Sequence, residues 1–137
     1  MAVLSGAEAR EQANLVYVRG TYHIALTNST TGNYTFQTTY STVQSDEVTS
    51  GVGGYARLSF TYTSDDMLAF KTGQPLSKKV ATFIHDGSSG IFEFNHVVLL
   101  REIGGAFSVV GFQTITPSIT LIAGKLVKIN INLLHGA

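Results

Sequence analysis

The 137-residue chain predicts an all-β fold, an antiparallel β-sandwich or jelly roll with one short N-terminal helix. Three observations predict it. Several short runs alternate apolar with polar residues, glycine-containing turns separate those runs at regular intervals, and only the N-terminal segment carries a helical signature. We divide the chain into an N-terminal helical arm, residues 1–19, and a β-sandwich domain, residues 20–137.

In the arm, Ser5 and Glu8 have the spacing of a capping box, in which hydroxyl and carboxylate each satisfy a free backbone donor at a helix start. A helix over about Gly6–Tyr17 is expected. Ala9, Ala13 and Val16 fall on one face of it and make a narrow stripe of small residues able to lie close against another surface. They are candidate interface residues. The competing reading is a helix that covers an edge of its own sandwich.

Thr21–Thr27 alternates, with Tyr22, Ile24 and Leu26 on one face, and predicts the first strand. Asn28–Thr42 is rich in Thr, Ser and Asn and reads as a long loop or a weakly packed hairpin. Its Asn28-Ser-Thr and Asn33-Tyr-Thr triplets match the short glycosylation pattern and are expected to be chance matches, since Met1–Glu8 does not resemble a secretion signal. The stretch Glu47–Thr63 organises the rest. Gly51, Gly53 and Gly54 free the backbone to pass close to another segment, and Ala56, Leu58, Phe60 and Tyr62 then alternate as a half-buried strand. This loop delivers Tyr55 and Arg57 at a set position, so Gly53, Gly54, Tyr55 and Arg57 join the candidate interface.

After a turn at Ser64-Asp65-Asp66 and a loop over 67–75, a strand is predicted over Lys78–Asp86, with Val80, Thr82 and Ile84 opposing Ala81, Phe83 and His85. Asp86–Gly90 is a turn by composition. Ile91–Arg101 is apolar on both faces, which predicts a central strand covered on both sides. Gly104-Gly105 closes a tight hairpin, and Pro117 is expected to end the next run, Phe107–Thr116, because it cannot donate to the ladder. Beyond the turn at Ala123-Gly124, Val127, Ile129, Ile131 and Leu133 face inward, and Lys128, Asn130 and Asn132 outward.

Charge narrows the function. Nine basic residues balance nine acidic ones, which removes the attraction that dominates nucleic-acid binding, so nucleic acid is not an expected partner. The longest aliphatic run, Val97–Leu100, is far below the ~20 residues of a membrane helix, and no membrane partner is expected. No cysteine is present, hence no disulfide scaffold and no thiol nucleophile. Charged residues make up 13% of the chain against about 25% in typical soluble domains. A surface so poor in charge is best covered by neighbouring subunits.

Chemistry has little to work with. His23, His85, His96 and His135 show no metal-ligand spacing; a site built from His85, His96 and Asp86 needs their strands to be neighbours, and ordinary hydrogen-bonded histidines are the simpler reading. Asp46-Glu47 and Asp65-Asp66 read as solvated turn acids rather than a glycosidase pair. No nucleophile elbow, phosphate loop or dinucleotide fingerprint is present. The expectation is therefore a non-enzyme with no catalytic residue, cofactor or metal. Tyr34 and Tyr40 are candidate ligand contacts, since aromatic faces beside polar groups suit sugar rings, although core packing explains them equally.

Glu47-Val48-Thr49-Ser50-Gly51 followed by Gly53-Gly54-Tyr55-Ala56-Arg57 resembles the Glu-Val-Ser-Gly-Gly-Gly-Tyr-Ala-Arg segment of small tail-fibre-type virion proteins of tailed bacteriophages. Asn95–Leu100, Gly104-Gly105 and Val109-Val110-Gly111 are similar to that family's central hairpin, and Ile122-Ala123-Gly124 with the alternation to Leu133 to its closing strand. The likeness spans about residues 20–135 in order. It departs at the extra residues around Gly51-Val52, in the polar 28–42 loop and in lacking tryptophan. The resemblance implies a non-enzymatic virion structural protein of the tail, fibre or capsid surface, made in the host cytoplasm and incorporated in the virion. Its partners would be copies of itself, as a homo-oligomer with a trimer expected, and other virion proteins, namely capsid, tail or baseplate subunits. Capsid cement (decoration) protein and glycan-binding host-recognition module are the alternatives.

Overall fold

The computed structural model describes residues 16–35, 37–67 and 78–131. In chain order these form β1 (Thr21–Thr27), α1 (Tyr40–Asp46), β2 (Leu58–Phe60), β3 (Lys79–Ile84), β4 (Phe92–Ile103), β5 (Ala106–Leu121) and β6 (Leu126–Ile131), with single 3-10 turns at Val52–Gly54 and Asp65–Met67. One sheet has the order β2-β1-β4-β5 and the other pairs β3 with β6. Every pairing is antiparallel. The fold is all-β and sandwich-like, as the alternation predicts.

The main core lies between the sheets. Tyr22, Ile24 and Leu26 of β1 and Phe94, Val97 and Leu99 of β4 pack against Ala81 and Phe83 of β3 and Ile131 of β6. Lys128 and Asn130 are exposed while Ile131 is buried, so the period-2 pattern of the last strand sets its inward face as expected. A second, smaller cluster covers the opposite face of the larger sheet. There Ala25, Val98 and Leu100 meet Val43 of α1 and Tyr34, with Tyr40, Phe107 and Val109 at its margin. Residues 28–46 thus form a partial third layer, which is why Val97–Leu100 of β4 is apolar on both faces.

The β4–β5 hairpin closes as predicted: Ile103 pairs with Ala106 and both glycines between them have positive φ, 59° and 83°, the geometry of a two-residue type I′ turn. Pro117, however, does not end the strand. His96 pairs with Thr114 and Phe94 with Ile119, so residues 115–118 bulge out opposite Asn95. Proline is tolerated there because a bulged residue owes the ladder no N–H.

Three other expectations change. The polar 28–42 segment runs into helix α1, whose sequence Tyr-Ser-Thr-Val-Gln-Ser-Asp carries almost no helical stripe; burial of Val43 against the sheet supplies what propensity does not. The strand expected from Ala56 shrinks to Leu58–Phe60, and Ala56 is exposed, although Leu58, Phe60 and buried Tyr62 do face inward. The expected arm helix lies almost wholly outside the described residues, which include only its end, Val16 and Tyr17.

Candidate assembly surface

The organising stretch folds into a polar knot. Arg57 grips Glu47 with two donors, Nη2 to Oε1 at 2.6 Å and Nε to Oε2 at 2.9 Å, the bidentate geometry that makes arginine–carboxylate pairs strong. The Tyr55 hydroxyl donates to Glu47 Oε2 at 2.6 Å and accepts from the Leu26 N–H at 3.1 Å. Arg57 Nη1 donates to the Tyr40 hydroxyl at 2.9 Å, and the guanidinium lies 5.3 Å and 5.4 Å from the ring centroids of Tyr40 and Phe107. Burial, then the bond to Glu47, pushes the Tyr55 hydroxyl well above its ordinary pKa, and the Glu47 bond likewise raises Arg57. Both groups keep their protonated forms across the physiological range. The knot ties the 47–57 loop to β1 and to the third layer.

Gly53 completes this arrangement. It is buried, its N–H donates to Ser89 O at 3.2 Å, and its carbonyl accepts from Asp86 N–H at 3.0 Å. A Cβ at Gly53 would stand 2.5 Å from the His85 ring, so the close approach inferred from the sequence is real, and the neighbouring segment is the 85–90 turn of the same chain. Among the candidate interface residues, Gly53, Tyr55 and Arg57 are therefore engaged within the protomer. Gly54 and Val16 are at the surface, and Ala9 and Ala13 lie outside the described residues.

The candidate ligand tyrosines are packed internally. Tyr34 is buried, its ring centroid 4.2 Å from that of His96 and 6.1 Å from that of Phe112, and its hydroxyl donates to Asp46 Oδ2 at 2.8 Å. Its pKa is pushed up to about 12, mainly by burial. Tyr40 stacks on Phe107 at 4.7 Å beside Arg57. Folding of the 28–46 segment onto the sheet, which no local signal announces, is what occupies these rings.

The histidines make separate contacts. His85 bonds the Gly90 carbonyl through Nε2 at 2.6 Å and accepts from Gly87 N–H at Nδ1, so the proton sits on Nε2. For His96 the order is reversed: Asn95 Oδ1, oriented by the Ser29 backbone, receives Nδ1–H at 2.7 Å. Nε2 of His96 is buried and has no hydrogen-bond partner. Burial holds the His96 pKa below its ordinary value. His23 pairs with Glu102 at 3.1 Å, and His135 lies outside the described residues. Among the described residues, no group of three or more His, Cys, Asp or Glu could hold a metal ion.

Part of the outer surface is apolar. Val80, Ile84, Ile91, Ile122 and Leu126 are each more than half exposed. Ile84 pairs with Leu126 across β3–β6, and Ile91 and Ile122 sit one step beyond the Phe92–Leu121 pair, which gathers these four towards one end of the sandwich, while Val80 pairs with Asn130 towards the other. A cavity of about 520 Å³ opens on the flank between β5 and β6; Ile24, Val97 and Leu99 form its floor, and Ile115, Ile129 and Ile131 contribute to its walls.

No protein-family model, curated protein or solved structure matches the chain. Fold and surface together define an all-β sandwich that presents aliphatic side chains at its surface.

Proposed function

We propose that this chain is a non-enzymatic structural subunit that works by burying its surface against copies of itself and companion proteins, as a virion protein of a tailed bacteriophage in the tail or fibre or on the capsid. The observation that carries the assembly reading is the set of aliphatics more than half exposed around the β3–β6 sheet in a chain only 13% charged. Such a surface gives little repulsion between copies and gains from being covered. The virion assignment is supported by the resemblance of the 47–57 segment, whose Glu47, Tyr55 and Arg57 are the residues of the knot that holds the protomer together.

Light scattering on the purified full chain, over a range of concentrations, tests the assembly reading. The expected result is a closed oligomer; a monomer at every concentration overturns it. Crosslinking in the intact particle tests the location. Links to the major capsid subunit mean a decoration role, links to tube or baseplate proteins mean the tail, and absence of the chain from purified particles overturns the virion assignment.

A further inference from the structure

We propose that the β5–β6 flank of the sandwich is the surface through which two copies of this chain meet, strand edge to strand edge across a two-fold axis. The inference deepens the assembly reading and rests on it. Among the described residues β5 pairs only with β4, and β6 only with β3, so the outward main-chain groups of both strands lack ladder partners.

Folded proteins guard such edges with charge, proline, bulges or short length. β5 is the longest strand, at 16 residues, and from Ala106 to Leu121 it contains no charged residue. Pro117 and the 115–118 bulge guard only its far part. Nearer the hairpin there is a single irregularity, at Val110, where the register steps from Leu99–Gly111 to Leu100–Val109.

The apolar cavity lies between these two edges, and among the described residues Lys128 is the one charged residue lining it. Among the described residues the sheet on one side has four strands and the sheet on the other has two, so in that part of the chain the flank is where the smaller sheet falls short of the larger. Its occupant must offer both main-chain hydrogen bonds and apolar side chains, which selects a polypeptide edge over a small ligand. An antiparallel edge is self-complementary about a two-fold axis, and an edge without charge meets its own copy without like-charge repulsion.

The size is also right. About nine paired residues make an edge of ~30 Å, and two sheets ~10 Å apart with their side chains give a flank about 25 Å tall, hence roughly 750 Å² per copy. A standard stable interface buries about 800 Å² per partner. A two-fold contact makes the closed unit a dimer in place of the trimer expected from the sequence.

The test uses the full chain and three variants. Ser108→Lys with Gln113→Lys places two charges on the exposed β5 edge, and Gln113→Cys introduces a lone thiol there; Ser88→Cys, on the distant 86–90 turn, is the control. The expected results are a wild-type dimer, at least tenfold weaker association of the double-lysine variant with unchanged circular dichroism, and bismaleimide crosslinking of Gln113→Cys but not of Ser88→Cys. Association undiminished by the lysines, with no crosslink at position 113, overturns this inference and leaves the assembly reading standing. A wild-type monomer at every concentration overturns the assembly reading itself. If the double-lysine protein loses its circular dichroism signal, crosslinking at position 113 decides alone.

Discussion

The two flanks of the sandwich are built differently. On the β2–β3 side, Tyr62 is buried among Tyr22, Phe60 and Tyr17 at centroid distances of 5.1, 5.4 and 6.4 Å. Lys79 lies 5.3 Å over the Tyr62 ring and pairs with Asp66 at 3.1 Å. On the β5–β6 side the apolar floor opens into a cavity, and among the described residues the strand edges carry no ladder partners. One flank is sealed by aromatic packing inside the chain, and the other is the one we propose for association. If that proposal holds, stability and assembly can be varied separately.

The largest effect that would break this contrast is on the sealed flank. Tyr62→Ala is expected to cost about 3–5 kcal/mol, the range for removing a large buried aromatic, measured by urea denaturation. Tyr62→Phe should be tolerated, because the hydroxyl is buried without a hydrogen-bond partner and its removal leaves no stranded group. A loss of less than about 1 kcal/mol for the alanine variant would mean that the sealed flank is not where stability resides.

A smaller loss, about 2–3 kcal/mol, is expected for Gly53→Ala, which adds a Cβ at positive φ against the His85 ring. The counterpart on the open flank is Gly111→Ala. No heavy atom lies within 4 Å of the new Cβ and φ is not positive there, so we expect a change of no more than about 0.5–1 kcal/mol, in the stabilising direction. If thermal melts show the two substitutions to be equal, the difference in tightness between the two regions is illusory.

The subtlest test uses pH. His96 has a folded pKa below its unfolded value because burial disfavours the charged ring. Between those two values the unfolded chain binds the extra proton, so this contribution to stability is complete above the unfolded pKa, about 6.5. It declines as pH falls towards the folded value and levels off below it. His96→Gln should shrink the drop in Tm between about pH 7 and pH 5; an undiminished drop would assign that pH dependence to other groups.

Much of the sandwich was legible because its strands advertise themselves locally. Thr21–Thr27 was found with its bounds and inward face intact, the glycine pair at 104–105 marked the hairpin, and the doubly apolar run at Val97–Leu100 announced a strand covered on both sides. The partners of the candidate site residues were not legible. Tyr55 and Arg57 were expected at a set position as candidate interface groups, and Tyr34 and Tyr40 either as ligand contacts or as packed rings; all four make contacts inside the chain. The rings and hydroxyls they meet belong to residues as distant in sequence as Phe107 and Leu26, which no local pattern brings near.

What the sequence determined by itself is what depends on near neighbours along the chain: side-chain alternation, turn chemistry at glycine pairs, and the charge poverty that favours a covered surface. Only the tertiary structure decided that the segment from Asn28 to Asp46 forms a third layer, that Pro117 sits in a bulge, and that among the described residues a two-strand sheet leaves one flank of a four-strand sheet open. The physical reason is that backbone periodicity chooses the face a strand buries, but not the segment that comes to cover it. That choice depends on long-range packing and on which buried polar groups can find partners.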